Sequence, residues 1–227
     1  MPKTKKYNDS IGEIMRDELK ICVIGSVDAG KSSLISVLVY KHLDDGRGKA
    51  RKCIFRHPHE LESGRTSSIS SHHIKKEDGV ITFVDLAGHE RYLKTTITGL
   101  SSSFADYAIV TIGANMGVLR MTKEHLGIAL ALKIPIIVVI TKIDIAPTHV
   151  LERTIKKLNM ILMSKAAGYK KPLMISHESV SNKYIKMTMK EKINHIPIFK
   201  VSNKTGHNIE PLRNFALQLK PYNRDTI

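Results

Sequence analysis

Short apolar runs recur along this chain, separated by stretches with helical spacing. Leu19 to Ile24 (LKICVI), Val80 to Val84, Tyr107 to Ile112, Ile134 to Ile140 and Ile196 to Val201 are rich in β-branched residues. Such near-continuous runs mark strands covered on both faces. Between them, Ser32 to Leu43, Thr122 to Leu132 and Val150 to Met163 follow a helical apolar pattern, and Pro211 to Leu219 reads as a closing helix. Strand alternating with helix predicts right-handed crossovers and a mostly parallel sheet. His72 to Lys76 adds an antiparallel edge strand, for six strands with helices on both faces. Residues 44–70 fit neither period. They are polar, basic and rich in Gly and Ser, as expected of a functional or mobile segment.

Composition narrows the setting. The two cysteines, Cys22 in an apolar run and Cys53 in a basic stretch, do not form a disulfide framework, which predicts a reducing compartment. Met1 to Ser10 is polar and lysine-rich, unlike a signal peptide. The apolar stretch Leu126 to Ile140 is broken by Lys133 and Pro135, so it reads as helix then buried strand and not as a membrane span. A cytoplasmic monomer away from membranes is the expectation. The formal net charge is +15, and residues 151–227 hold 15 Lys and Arg against 5 Asp and Glu. That excess is either a footprint for RNA, the ribosome or another polyanion, or a solvated lysine-rich surface.

The candidate chemistry sits at strand ends. Gly25-Ser26-Val27-Asp28-Ala29-Gly30-Lys31-Ser32 fits G-x-x-x-x-G-K-[ST], follows an apolar strand and opens a helix, with Ser33 next in line. Glycines let backbone N–H groups approach phosphates, and the helix start adds partial positive charge. Lys31 can reach β- and γ-phosphates, and the Ser32 hydroxyl can ligate Mg²⁺. Asp85-Leu86-Ala87-Gly88 follows a second strand. Its acid can hold Mg²⁺ directly or through water, and Gly88 leaves an N–H where a γ-phosphate would lie. Thr141-Lys142-Ile143-Asp144 follows a third. Asp144 can accept two hydrogen bonds from guanine, a donor pair adenine lacks, while the lysine stem lies along the base. Val201-Ser202-Asn203 follows the last strand, where backbone N–H groups can meet guanine O6. Ligands of open α/β sheets bind at these carboxyl ends.

Together GSVDAGKS, DLAGH, TKID and VSN resemble the G domain of translational GTPases, relatives of elongation factor Tu and elongation factor 1-alpha. The segment from His42 to Ser70 and DLAGHERYLKTT at Asp85 to Thr96 are similar to the GTP-binding protein 1-like branch. The resemblance implies a P-loop NTPase G domain over 19–220, with a first switch near 44–70, an extension over 1–18 and a tail over 221–227. It implies that Lys31 holds the β- and γ-phosphates, and that Ser32, Thr66 and Asp85 serve Mg²⁺. Gly88 would sense the γ-phosphate and His89 would orient the attacking water. Asp28 matches an aspartate that helps bind K⁺ or Na⁺ beside the phosphates, and Asp144 and Ser202 would read guanine.

Three departures accompany the likeness. Thr141 stands where asparagine is commoner, a tolerated change that removes one loop-bracing amide. Arg65 replaces the usual apolar residue before Thr66, either stabilising transition-state charge in cis or pairing with Glu62 on a solvated loop. The chain ends at Ile227 without the family's β-barrels, so conventional tRNA delivery is not expected. Cys53, His57 and His59 form C-x3-H-x-H but lack a fourth ligand with attested zinc spacing, and read as part of a basic loop. The leading expectation is a GTPase switch, with GTP and GDP as ligands. The alternative is a GTP-dependent binding module with negligible hydrolysis that docks RNA or a protein.

Overall fold

The structure, a computed structural model, describes residues 18–54, 66, 69–102, 104–176 and 178–221. Seven strands form one sheet in the order β2-β3-β1-β4-β5-β7-β6. They are β1 (Glu18–Gly25), β2 (Ser70–Lys76), β3 (Gly79–Asp85), β4 (Tyr107–Gly113), β5 (Ile136–Thr141), β6 (Lys171–Met174) and β7 (His195–Lys200). Only β2 runs antiparallel to its neighbour; the other pairs are parallel. The fold class agrees with the pattern of apolar runs, but the strand count is seven and not six. The added strand, Lys-Pro-Leu-Met, is four residues long, lies at the sheet edge and is nowhere fully buried. It therefore carries no apolar run to read.

The helices are α1 (Lys31–Tyr40), α2 (Lys49–Lys52), α3 (Leu93–Ser102), α4 (Arg120–Ala131), α5 (Thr148–Leu162), α6 (Glu178–Lys186), α7 (Met189–Asn194) and α8 (Ile209–Gln218). Side chains alternate across each strand, which explains the two cores. Ile21 and Val23 of β1 pack with Leu34 and Leu38 of α1 and with Leu212 and Phe215 of α8. Cys22 and Ile24 point the other way, toward Leu126 of α4 and Leu158 of α5. Each fully buried leucine contributes about 2 kcal/mol of transfer free energy.

Register then places the site. Val23 pairs with Asp85, Gly25 with Thr111, Gly113 with Thr141, and Ile140 with Lys200. The carboxyl ends of β1, β3, β5 and β7 thus share one edge. Nearly all of 1–18, most of 221–227, Arg65, His57 and His59 lie outside the described residues, and so does most of the expected first switch. Cys53 is exposed and Cys22 buried, both as thiols. Among the described residues there is no cluster of metal-ligating side chains of the zinc type, and no helix is long and apolar enough to cross a membrane.

Candidate functional site

The turn after β1 has the geometry of an anion cradle. Gly25, Asp28 and Gly30 adopt φ of 141°, 58° and 81°, so the chain folds back tightly before α1. Helix α1 begins without a side-chain cap or an acidic residue in its first turn. Its leading N–H groups are thereby left for an anion. Lys31 and Ser33 are buried at that start, and the Lys31 ammonium donates to the Ser26 carbonyl at 3.0 Å. Burial pushes this ammonium below the usual lysine range, against the opposing pull of Asp85 and Asp28. A phosphate beside it would restore the favourable charge. Val27 is half-buried and Asp28 exposed on the outer side of the turn.

Ser32, Thr66 and Asp85 converge. Ser32 Oγ donates to Asp85 Oδ2 at 2.7 Å, Thr66 Oγ1 donates to the same oxygen at 3.2 Å, and the two hydroxyls lie 2.9 Å apart. Three hard oxygen donors from α1, the segment before β2, and the end of β3 suit Mg²⁺ better than a softer metal. Gly88 is buried next to this point. A Cβ there would overlap Lys31 Nζ and come within 2.6 Å of the Gly25 carbonyl oxygen, so only glycine lets the two turns meet.

His89 lies apart. It is exposed, its Nδ1 accepts from Arg91 N at 3.1 Å, and its ring meets Tyr92 edge-on at 6.3 Å. The imidazole caps a single 3-10 turn, Glu90–Tyr92, and leans on neither Lys31 nor the three oxygens.

The third and fourth strand ends touch each other. Ser202 Oγ donates to Asp144 Oδ1 at 2.7 Å, which orients the exposed carboxylate. Ser202 itself is buried, and its Oγ accepts from Thr205 N at 3.1 Å. Lys142 sits in a left-handed conformation (φ 59°) that turns the chain out of β5. The brace expected to be missing at Thr141 is present in another form: its hydroxyl donates to the Ala29 carbonyl at 2.7 Å. The Asn203 amide donates to the Gly30 carbonyl at 3.4 Å from the neighbouring strand end.

Sequence reading missed two residues that touch the loop. On α4, Thr122 Oγ1 shares a hydrogen bond with Ser26 Oγ at 2.8 Å, and His125 Nδ1 accepts the Gly25 N–H at 3.1 Å. Burial, with the charge of Lys31 nearby, lowers His125 to about 4. The signal was available: a Thr and a His three residues apart on the helix face that also carries Leu126 and Ala129.

This α/β sheet, with its phosphate-type loop and four strand ends gathered at one edge, defines the chain as a P-loop domain of the guanine-nucleotide type. It belongs to the translational GTPases: residues 16–221 match the family described as the Elongation factor Tu GTP binding domain. It is 40% identical to GTP-binding protein 1 of Xenopus laevis over 93% of its own length and 36% of that protein. It is 38% identical to GTP-binding protein 2 of Homo sapiens over 90% of its length and 37% of that protein. The chain thus spans about a third of the length of these relatives. Among solved structures it resembles a bacterial selenocysteine-specific elongation factor, EF-Sec, with a TM-score of 0.64 and 27% identity over 88% of this chain and 28% of the other.

Proposed function

We propose that the chain binds GTP and GDP at this edge and hydrolyses GTP, working as a switch between the two states. The observation that carries the reading is the meeting of Ser32, Thr66 and Asp85 oxygens around one point beside the buried Lys31. Mg²⁺ held by these three residues would supply charge neutralisation for the phosphates. Lys31 and the open start of α1 bind and orient the phosphate chain. Gly88 donates its N–H where the terminal phosphate would lie, and Asp144 and Ser202 select guanine. His89 orients water for in-line attack once its turn swings inward, and Asp28 helps hold a monovalent cation. Ordering of Thr66 and displacement of the turn after Gly88 are the two movements the switch needs.

A second reading has its own support. His89 is exposed and spends Nδ1 on its own turn, which suits a module that hydrolyses little until a partner rearranges it. For that partner we propose RNA or the ribosome. Lys165, Lys171, Lys183, Lys186, Lys190 and Lys220 are exposed, and among the described residues none forms an ion pair. We further propose a cytoplasmic setting, in which the thiols of Cys22 and Cys53 stay reduced, and a monomeric chain. Single-turnover hydrolysis with and without ribosomes decides between the readings. We expect His89→Ala to bind GTP as the unchanged chain does, within about twofold, and to hydrolyse it at least about tenfold more slowly. Equal rates for the two chains, with and without ribosomes, would remove His89 from the chemistry.

A further inference from the structure

Helix α4 reaches the phosphate loop with two polar side chains from an otherwise apolar face. His125 is wholly buried, and its Nδ1 accepts the Gly25 N–H at 3.1 Å. Thr122 is equally enclosed and shares a 2.8 Å hydrogen bond with Ser26 Oγ. The next link runs through Ser26 itself, whose carbonyl holds Lys31 Nζ at 3.0 Å. The path therefore runs from α4 through Gly25 and Ser26 to the ammonium that would hold the phosphates.

A purely structural role explains this poorly. The face of α4 otherwise packs Leu126 and Ala129 against β1 and β4, and a leucine or valine at either position would extend that apolar contact. Instead His125 keeps a second ring nitrogen, Nε2, buried without a hydrogen-bond partner among the described residues. Leaving a polar atom buried and unpaired costs about 1–3 kcal/mol. The other ring nitrogen offsets that cost by accepting a hydrogen bond that an apolar side chain cannot accept. Here the other nitrogen fixes the first N–H of the loop, at a residue with φ of 141° that only glycine adopts comfortably.

We propose that Thr122 and His125 are positioning residues of the nucleotide site: they set Gly25 and Ser26 so that the Ser26 carbonyl presents Lys31 to the phosphates. The proposal rests on the GTP reading above. It concerns the phosphate end alone, because Asp144, Ser202 and Asn203 approach from β5 and β7 on the far side of the loop.

The test uses four variants of the full chain. His125→Leu removes the acceptor, whereas His125→Asn offers a carboxamide oxygen near the place of Nδ1. Thr122→Val removes the hydroxyl at nearly constant shape, and Thr122→Ser keeps it. Amide exchange at Gly25 in nucleotide-free protein should be about tenfold faster in His125→Leu and close to unchanged in His125→Asn. Loss of GTP affinity should be about fivefold or more for Thr122→Val and for His125→Leu, with Thr122→Ser and His125→Asn close to the unchanged chain. Preference for GTP over ITP, which lacks the guanine 2-amino group, should not change. Exchange at Gly25 that is the same in all variants overturns the bracing whether or not the chain binds GTP. A lower melting temperature with unchanged GTP affinity reduces both residues to packing. Loss of GTP-over-ITP preference in step with affinity overturns the placement at the phosphate end.

Discussion

Two turns face each other across the site, and they are built on opposite plans. The turn after β1, from Gly25 to Gly30, is held from far along the chain: by His125 and Thr122 on α4, by Thr141 at the end of β5 and by Asn203 after β7. The turn after β3 is tied to β1 where it leaves the strand, by the Leu86 N–H donating to the Val23 carbonyl at 3.3 Å, and beyond Leu86 it is held largely by its own residues. Thr96 Oγ1 donates to the Ala87 carbonyl at 2.9 Å, and His89 accepts from Arg91 N. Among the described residues its ion pair outward, Glu90 to Arg120 at 3.3 Å, is solvent-exposed on both sides. A cradle for phosphate gains from being fixed before the ligand arrives, since ordering it on binding would cost affinity. A turn that must answer the terminal phosphate gains from few remote ties, because these set the free energy of local rearrangement. Gly88 is the point where the fixed turn and the free one touch.

The contrast can be broken at its strongest point first. Gly25→Ala places a Cβ on the Thr111 carbonyl oxygen at a φ of 141°, and should cost about 3 kcal/mol or more of stability. Chemical denaturation would measure it, and a loss below about 1 kcal/mol would mean the turn after β1 adapts more freely than its remote ties imply. Acid gives the next effect. His125 sits at about 4 in the fold and near 6.5 when unfolded, so between those values the unfolded chain takes up a proton that the fold refuses. Stability should fall by roughly 3 kcal/mol as pH drops from about 7 to 4 through this group, with the slope fading to nothing about one pH unit above 6.5. His125→Asn should remove that part of the slope. The smallest effect belongs to the turn after β3. Glu90→Ala should change stability by less than about 0.5 kcal/mol, as exposed pairs do. A larger loss would show that this turn is tied down after all.

The strands were readable because burial on both faces leaves an unmistakable run, and the four motifs were readable because backbone chemistry at a strand end demands particular residue types. Their convergence followed from the topology once the sheet was parallel. Other features left no such trace. Strand β6 is short and half-exposed, and α7 is a six-residue helix that buries Lys192, so neither carries a long apolar pattern, while α6 turns only Val180, Tyr184 and Ile185 toward the core. Thr141 was read for the amide it lacks, when its hydroxyl reaches the Ala29 carbonyl directly. Thr122 and His125 did leave a trace, their place on the face of α4 that carries Leu126 and Ala129, but polar residues within an amphipathic helix are ordinarily assigned to its solvent side. Only the docking of α4 on β1 and β4 turns them toward the loop. His89 was assigned by its place after Gly88, and the structure puts it on the exposed side of a one-turn helix.

The outermost strands carry one more consequence. A parallel sheet ends in rows of N–H and C=O groups that invite another chain to join, and such joining begins many aggregates. Strand β2 ends the sheet on one side with His73 and Lys75 exposed. Strand β6 ends it on the other with exposed Lys171, followed by Pro172, which has no N–H to offer. An incoming strand would have to bury ammonium groups on one flank and forgo a hydrogen bond on the other. Charged side chains and a proline at the margins are features that discourage edge-to-edge joining, so the long apolar runs lie in the interior of the sheet and not at its edges.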